Sequence, residues 1–196
     1  MCGAMVTPES RMISRRRVLA GSIASVGAAA LASVGLKEAS AAIQWYLTSP
    51  MYGRITGGWH SNALDIQEVG GSPSVYAYFR RSGAYGYIQP TNIANSCETP
   101  NNPTHRILDF YCRTDGAQAY VGSGRAQHVE SIGVSVGSIY ASPTWLAGQG
   151  SGGFPSGVNC YTGLHVHYWA NGTPVGSYSY LDPVYLDTPI MWQWSV

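Results

Sequence analysis

Charge is scarce in this chain. Only 11% of its 196 residues are Asp, Glu, Lys or Arg, and the formal net charge is +1. That balance provides no basic stripe for a phosphate backbone, so nucleic acid is excluded as a partner. Lysine is nearly missing, Lys37 being the only one. A Walker-type phosphate loop needs a lysine after its glycines, so P-loop chemistry is excluded too. From residue 42 onward six arginines (Arg54, Arg80, Arg81, Arg106, Arg113 and Arg125) face eight carboxylates, a small acidic excess. A sustained 3.6-residue apolar period is also absent from that stretch, which argues against amphipathic helices. Disorder is excluded from the other side: 14 Tyr and 6 Trp at low charge are the reverse of a disordered composition.

What is present begins with an N-terminal export pattern. Ser14-Arg15-Arg16-Arg17-Val18-Leu19 is a twin-arginine sequence, followed by a weakly apolar run of Ala, Gly, Ser and Val to Leu36. Lys37-Glu38 ends the run, and Ala39-Ser40-Ala41 supplies small residues in the spacing a signal peptidase reads. A membrane anchor is the alternative, but such an anchor usually carries more Leu, Ile and Phe. Residues 1–41 therefore read as a Tat-type signal peptide and 42–196 as an exported domain, with no membrane anchor after cleavage. The length of that domain suits a single core.

Within the domain, short runs rich in Val, Ile, Tyr and Phe alternate with Gly, Pro, Ser and Asn. They are Ser74–Arg80, Tyr85–Gln89, Ile107–Cys112, Gln118–Val121, Ser131–Val136 and Leu164–Trp169. Many short strands with glycine punctuation predict an all-β fold, an antiparallel sandwich or open barrel with long loops. Three cysteines remain after the signal segment. Cys97 and Cys112 bracket a polar Pro/Asn stretch, which predicts a disulfide between them with Cys160 left over; three free thiols are the alternative.

All five histidines lie in this domain. His165 and His167 sit in Gly163-Leu164-His165-Val166-His167-Tyr168-Trp169, and two-residue spacing on a strand puts both imidazoles on one face. A pair of exposed strand histidines would look the same. His60 stands in Gly57-Gly58-Trp59-His60-Ser61-Asn62-Ala63-Leu64-Asp65. Two imidazoles and one carboxylate suit zinc, and three protein ligands leave a fourth position for water, the form of a catalytic rather than a structural site.

These motifs, with others in order, resemble the lysostaphin-type zinc endopeptidases, including the beta-lytic and LytM-like peptidoglycan hydrolases. The resemblance rests on His60…Asp65, the Gly71–Ala77 strand, Gln127-His128-Val129 with its following Val-Ser-Val-Gly137, Leu146–Gly153, His165-Val166-His167 and Tyr180-Leu181-Asp182-Pro183, and spans residues 57–186. It implies that His60, Asp65 and His167 hold Zn2+, and that His128 and His165 are catalytic histidines. It implies hydrolysis of peptide bonds in peptidoglycan stems, cross-bridges or Gly-rich peptides. His105 matches nothing in the family pattern and reads as a loop residue. Two departures stand out: Asp65 follows His60 by five residues where four is usual, and Ala126-Gln127 replaces tyrosine-glycine. In an uninterrupted strand the odd offset turns Asp65 away from His60. A bulge or turn at Ser61-Asn62 restores convergence, and otherwise Asn62 is the next ligand candidate. A non-catalytic cell-wall-binding module and a secreted protease of protein substrates are the competing readings.

Overall fold

Strand formation follows the alternation of apolar and polar side chains. The computed structural model describes residues 42–71, 73–95, 105–150 and 165–196, and among these every regular element is a strand. In chain order they are β1 (Gln44–Thr48), β2 (Gly53–His60), β3 (Ala63–Glu68), β4 (Ser74–Ala77), β5 (Phe79–Arg81), β6 (Ala84–Tyr85), β7 (Tyr87–Asn95), β8 (Arg106–Arg113), β9 (Tyr120–Glu130), β10 (Tyr140–Ala141), β11 (Thr144–Gln149), β12 (Val166–Ala170), β13 (Thr173–Pro174), β14 (Pro183–Val184) and β15 (Ile190–Ser195). The predicted export segment and both Cys97 and Cys160 lie outside the described residues.

Two antiparallel sheets result, and neither closes into a barrel. The smaller runs β13-β15-β1-β5-β6. The larger runs β10-β7-β8-β9-β12-β3-β2-β14, with β11 joining β4 to β9. The predicted all-β sandwich is therefore the fold. Its core lies between the sheets. Trp45, Leu47, Phe79 and Trp192 come from the smaller sheet; Leu64, Ile66, Leu108, Phe110, Val166 and Tyr168 come from the larger one. Trp45 stacks on Phe79 at 4.8 Å, and Tyr168 meets Trp192 edge-on at 5.6 Å. Burying side chains of this size stabilises the fold by roughly 1.5–3 kcal/mol each.

The alternation on β12 fixes what the other face presents. Val166, Tyr168 and Ala170 are buried against the core, so His165, His167 and Trp169 point away from it. On β3, Leu64 and Ile66 face inward and Asp65 outward with His167 directly opposite.

Three expectations need correction. Ser131–Val136 is a turn-rich connection, and Gln118–Val121 marks only the start of the much longer β9. Cys112 is a free, fully buried thiol. It shares the inward face of β8 with Leu108 and Phe110, so the predicted bridge to Cys97 is not made; burial pushes its pKa up.

Candidate metal centre

Three adjacent strands supply the candidate ligands. Asp65 on β3 is flanked by His167 on β12 and by Gly57 on β2. Ala63 lies on the same face of β3, two residues before Asp65, and its partner across the hairpin is His60. From Gly57 to His60 is three steps on β2, but from Asp65 to Ala63 only two on β3. The extra residue is a bulge, and it rotates His60 onto the face of Asp65. The Ser61-Asn62 turn closes the hairpin with φ of 48° and 62°, the left-handed pair of a two-residue hairpin loop. Bulge and turn together absorb the five-residue offset. Asn62, the fallback ligand, is otherwise engaged: its amide donates to the carbonyls of Ala170 and Gly172 and ties the turn to the end of β12.

The three side chains converge to within ion-binding range. His167 Nδ1 lies 2.9 Å from Asp65 Oδ1 and 3.3 Å from His60 Nε2, and His60 Nε2 lies 3.6 Å from Asp65 Oδ1. A four-coordinate first-row ion with bonds of about 2.0–2.1 Å sets its ligand atoms about 3.3 Å apart. The group could therefore hold a metal ion. The Gly58 carbonyl, 2.7 Å from His60 Nδ1, can only accept; the Nδ1 proton is thereby fixed and the Nε2 lone pair is left for an ion. Burial pushes the Asp65 carboxyl up. The hydrogen bond from His167 and the charges of His165, His60 and His167 outweigh that effect, so its pKa stays below the usual carboxylate value. Gly57 leaves room for the Asp65 carboxylate as placed: a Cβ at that position would lie 2.6 Å from Asp65 Oδ2.

His165 and His128 form the adjoining wall. His165 Nε2 is 3.8 Å from Asp65 Oδ1. The His128 ring stands nearly perpendicular to that of His165, centroids 5.0 Å apart, and 6.5 Å from that of His167. Parity alone would send His128 into the core with Gly122, Gly124 and Ala126. A second bulge prevents this. Arg106 pairs with Val129 and Ile107 with Gln127, so His128 is the extra residue, at φ 65°, and Val129 takes the inward place. Its carbonyl accepts from the Gly150 amide at 2.8 Å. Burial, then the charges of His165 and His167, lowers the His128 pKa to about 3, so the ring is neutral, with one nitrogen donating and one accepting. His105, predicted to be a loop residue, is completely buried just before β8 and packs beside Gly150, behind His128. Nothing in its polar sequence neighbourhood signals that burial.

Beside the ligands is a depression of about 280 Å³ lined by Ser61, Arg125, His167 and Trp169. Trp59 takes no part: its indole N–H donates to the Gly176 carbonyl and its ring packs on Tyr178 and Trp192. All five residues expected at the site thus lie on one side of the larger sheet, while sequence reasoning missed Gly57 and Arg125. The Gly57-Gly58 pair before Trp59-His60 was a readable signal for the first; Arg125 carried none. No family model, no curated protein and no solved structure matches this chain.

Proposed function

We propose that the protein is an exported zinc-dependent endopeptidase acting on peptide bonds of peptidoglycan stems or cross-bridges. The observation that carries this reading is the single constellation of His60, Asp65 and His167 with His128 and His165 beside them. Two imidazoles and one carboxylate are a donor set zinc prefers, and a three-ligand set leaves a position for water. Zinc bound there would supply Lewis acidity and acidify a water. The chain's own residues do the rest. The hydrogen bond from His60 Nδ1 to the Gly58 carbonyl aims His60 Nε2 at the point that His167 Nδ1 and Asp65 Oδ1 also face, where these three atoms would hold the ion. A neutral imidazole accepts a proton at one nitrogen and donates at the other, so the His165–His128 pair can take the proton of an attacking water and donate to a developing oxyanion. No His-Glu-x-x-His helix offers a carboxylate base. The twin-arginine segment and the peptidoglycan substrate rest on the sequence and its family resemblance.

The test separates ligands from catalytic histidines. His60→Ala or His167→Ala should lose both zinc and hydrolysis of purified peptidoglycan. His128→Ala or His165→Ala should keep zinc and lose roughly 10²–10⁴-fold in turnover. Zinc binding without hydrolysis of any peptide or wall substrate would favour a wall-binding module. A wild-type protein that binds no zinc in metal-replete medium would end the enzymatic reading.

A further inference from the structure

The sheet face continues past the candidate ligands in a row of residues that pair directly across strands. Trp169 on β12 stands opposite Arg125 on β9, and Arg125 opposite Asp109 on β8. Trp169 follows His167 by two residues, so this row shares the face of the site and lies about 7 Å along the strands from it. The depression described above spans the two rows, with Arg125 and Trp169 in one and His167 in the other. Among the described residues that line it, Arg125 is the only arginine or lysine.

The guanidinium is held in place. Its Nε lies 2.6 Å from Asp109 Oδ1 and its Nη2 3.3 Å from Oδ2, and the Asn92 amide donates to the same Oδ2 at 3.2 Å. One edge of the fork is thus engaged, while Nη1 has no hydrogen-bond partner among the described residues and the side chain is 43% exposed. A guanidinium clamped on one edge offers the other as a pre-oriented donor, the arrangement suited to an oxyacid. The charge balance agrees. Asp109 offsets Arg125, and Asp65 is the sole carboxylate among the ligand group, so a divalent ion there would leave the two rows net positive.

We infer that Arg125, with Trp169 as its apolar neighbour, is a carboxylate-binding subsite that selects acidic peptides. The inference deepens the proposed hydrolase function and rests on it for the position of the scissile bond. A spacing of about 7 Å corresponds to two residues of extended chain, which places the carboxylate within two residues of the bond cut. Trp169 packs against the intervening peptide, and Arg125 Nη1 donates to the carboxylate.

Two measurements test this on the full exported domain. In the first, kcat/KM of the zinc-loaded protein is compared on glycine-centred peptides that differ only in Glu against Gln two residues from the central bond, on either side. The wild type should prefer the Glu peptide about 10- to 100-fold on one side, and Arg125→Gln should abolish the difference with zinc content unchanged. Equal rates in the wild type, or a preference that survives in Arg125→Gln, would overturn the inference. The second measurement does not need catalysis. N-acetylglutamic acid α-amide and N-acetylglutamine α-amide, of which only the first carries a carboxylate, are titrated into zinc-free protein, where no ion can capture the carboxylate, while the Trp169 indole N–H is followed by NMR. A shift with the first ligand alone, lost in Arg125→Gln, supports the subsite even if no peptide is cleaved; no shift overturns it. Should Arg125→Gln unfold by stranding Asp109, the Arg125→Gln/Asp109→Asn double variant serves in both measurements.

Discussion

Replacing Gly57 by alanine puts one methyl group against the candidate metal centre, its three nearest neighbours all being atoms of Asp65. The added Cβ would lie 2.6 Å from Asp65 Oδ2 and 3.2 Å from Asp65 Cβ and Cγ. Ordinary separations of about 3.5 Å require the carboxylate to retreat by nearly 1 Å. Metal–ligand bonds tolerate about 0.2 Å, so Asp65 can no longer share an ion with His60 and His167 at their present positions. Disturbing the support of a ligand typically weakens metal binding by about 10–100-fold, or ~1.4–2.7 kcal/mol. The fold itself should be spared, because the backbone at Gly57 is not left-handed and alanine restricts the unfolded chain by a further ~0.4–1 kcal/mol. Zinc affinity by chelator competition and thermal unfolding in excess EDTA read the two effects separately. We expect weaker zinc binding with an unchanged or slightly raised metal-free midpoint. Zinc affinity equal to wild type in Gly57→Ala, together with a large loss in Asp65→Ala, would show that the close approach does not position the carboxylate. Equal affinity in both variants would remove Asp65 from the ligand set.

Two further predictions concern stability and the thiol. Burial lowers the pKa of His105 and, more strongly, of His128, the latter to about 3, whereas an unfolded histidine protonates near 6.5. Below about pH 6.5 the unfolded chain therefore binds more protons, and the metal-free protein should lose stability as pH falls, by up to ~1.4 kcal/mol per pH unit for each histidine. Urea midpoints measured from pH 7 down to 5 should decline, with a shallower decline in His105→Gln; a flat wild-type profile would refute the burial argument. Cys112 should resist iodoacetamide in the native protein and react after denaturation without any reductant; recovery of a Cys97–Cys112 peptide from unreduced digests would contradict the structure.

The candidate ligand group is legible in sequence because strand parity and residue chemistry act locally. His165 and His167 share a face by spacing alone, and the Ser61-Asn62 pair announces a hairpin whose turn and bulge reconcile His60 with Asp65. His128 was found through family resemblance, but its orientation was not legible. Its strand neighbours predict an inward ring, and the bulge that turns it outward depends on how β8 and β9 register, a relation between segments. Cys112 departs from its expectation for the opposite reason. The alternation Leu108, Phe110, Cys112 places it in the core, a local signal stronger than the polar stretch that Cys97 and Cys112 bracket. The burial of His105 and the position of Arg125 come from contacts across strands, which no single segment encodes.

The ligand group draws on residues 60, 65 and 167, so any ion held there closes a loop of about a hundred residues between the β2–β3 hairpin and β12. Such a site does not exist while the chain is being made. It forms only when β12 has inserted between β9 and β3, the last of the ligand-bearing strands to be synthesised. Loading would therefore be a late event, and an ion held there would act as a clasp on a finished sheet rather than as a nucleus for folding. Whichever compartment completes the sheet would be the one whose metal pool reaches the site.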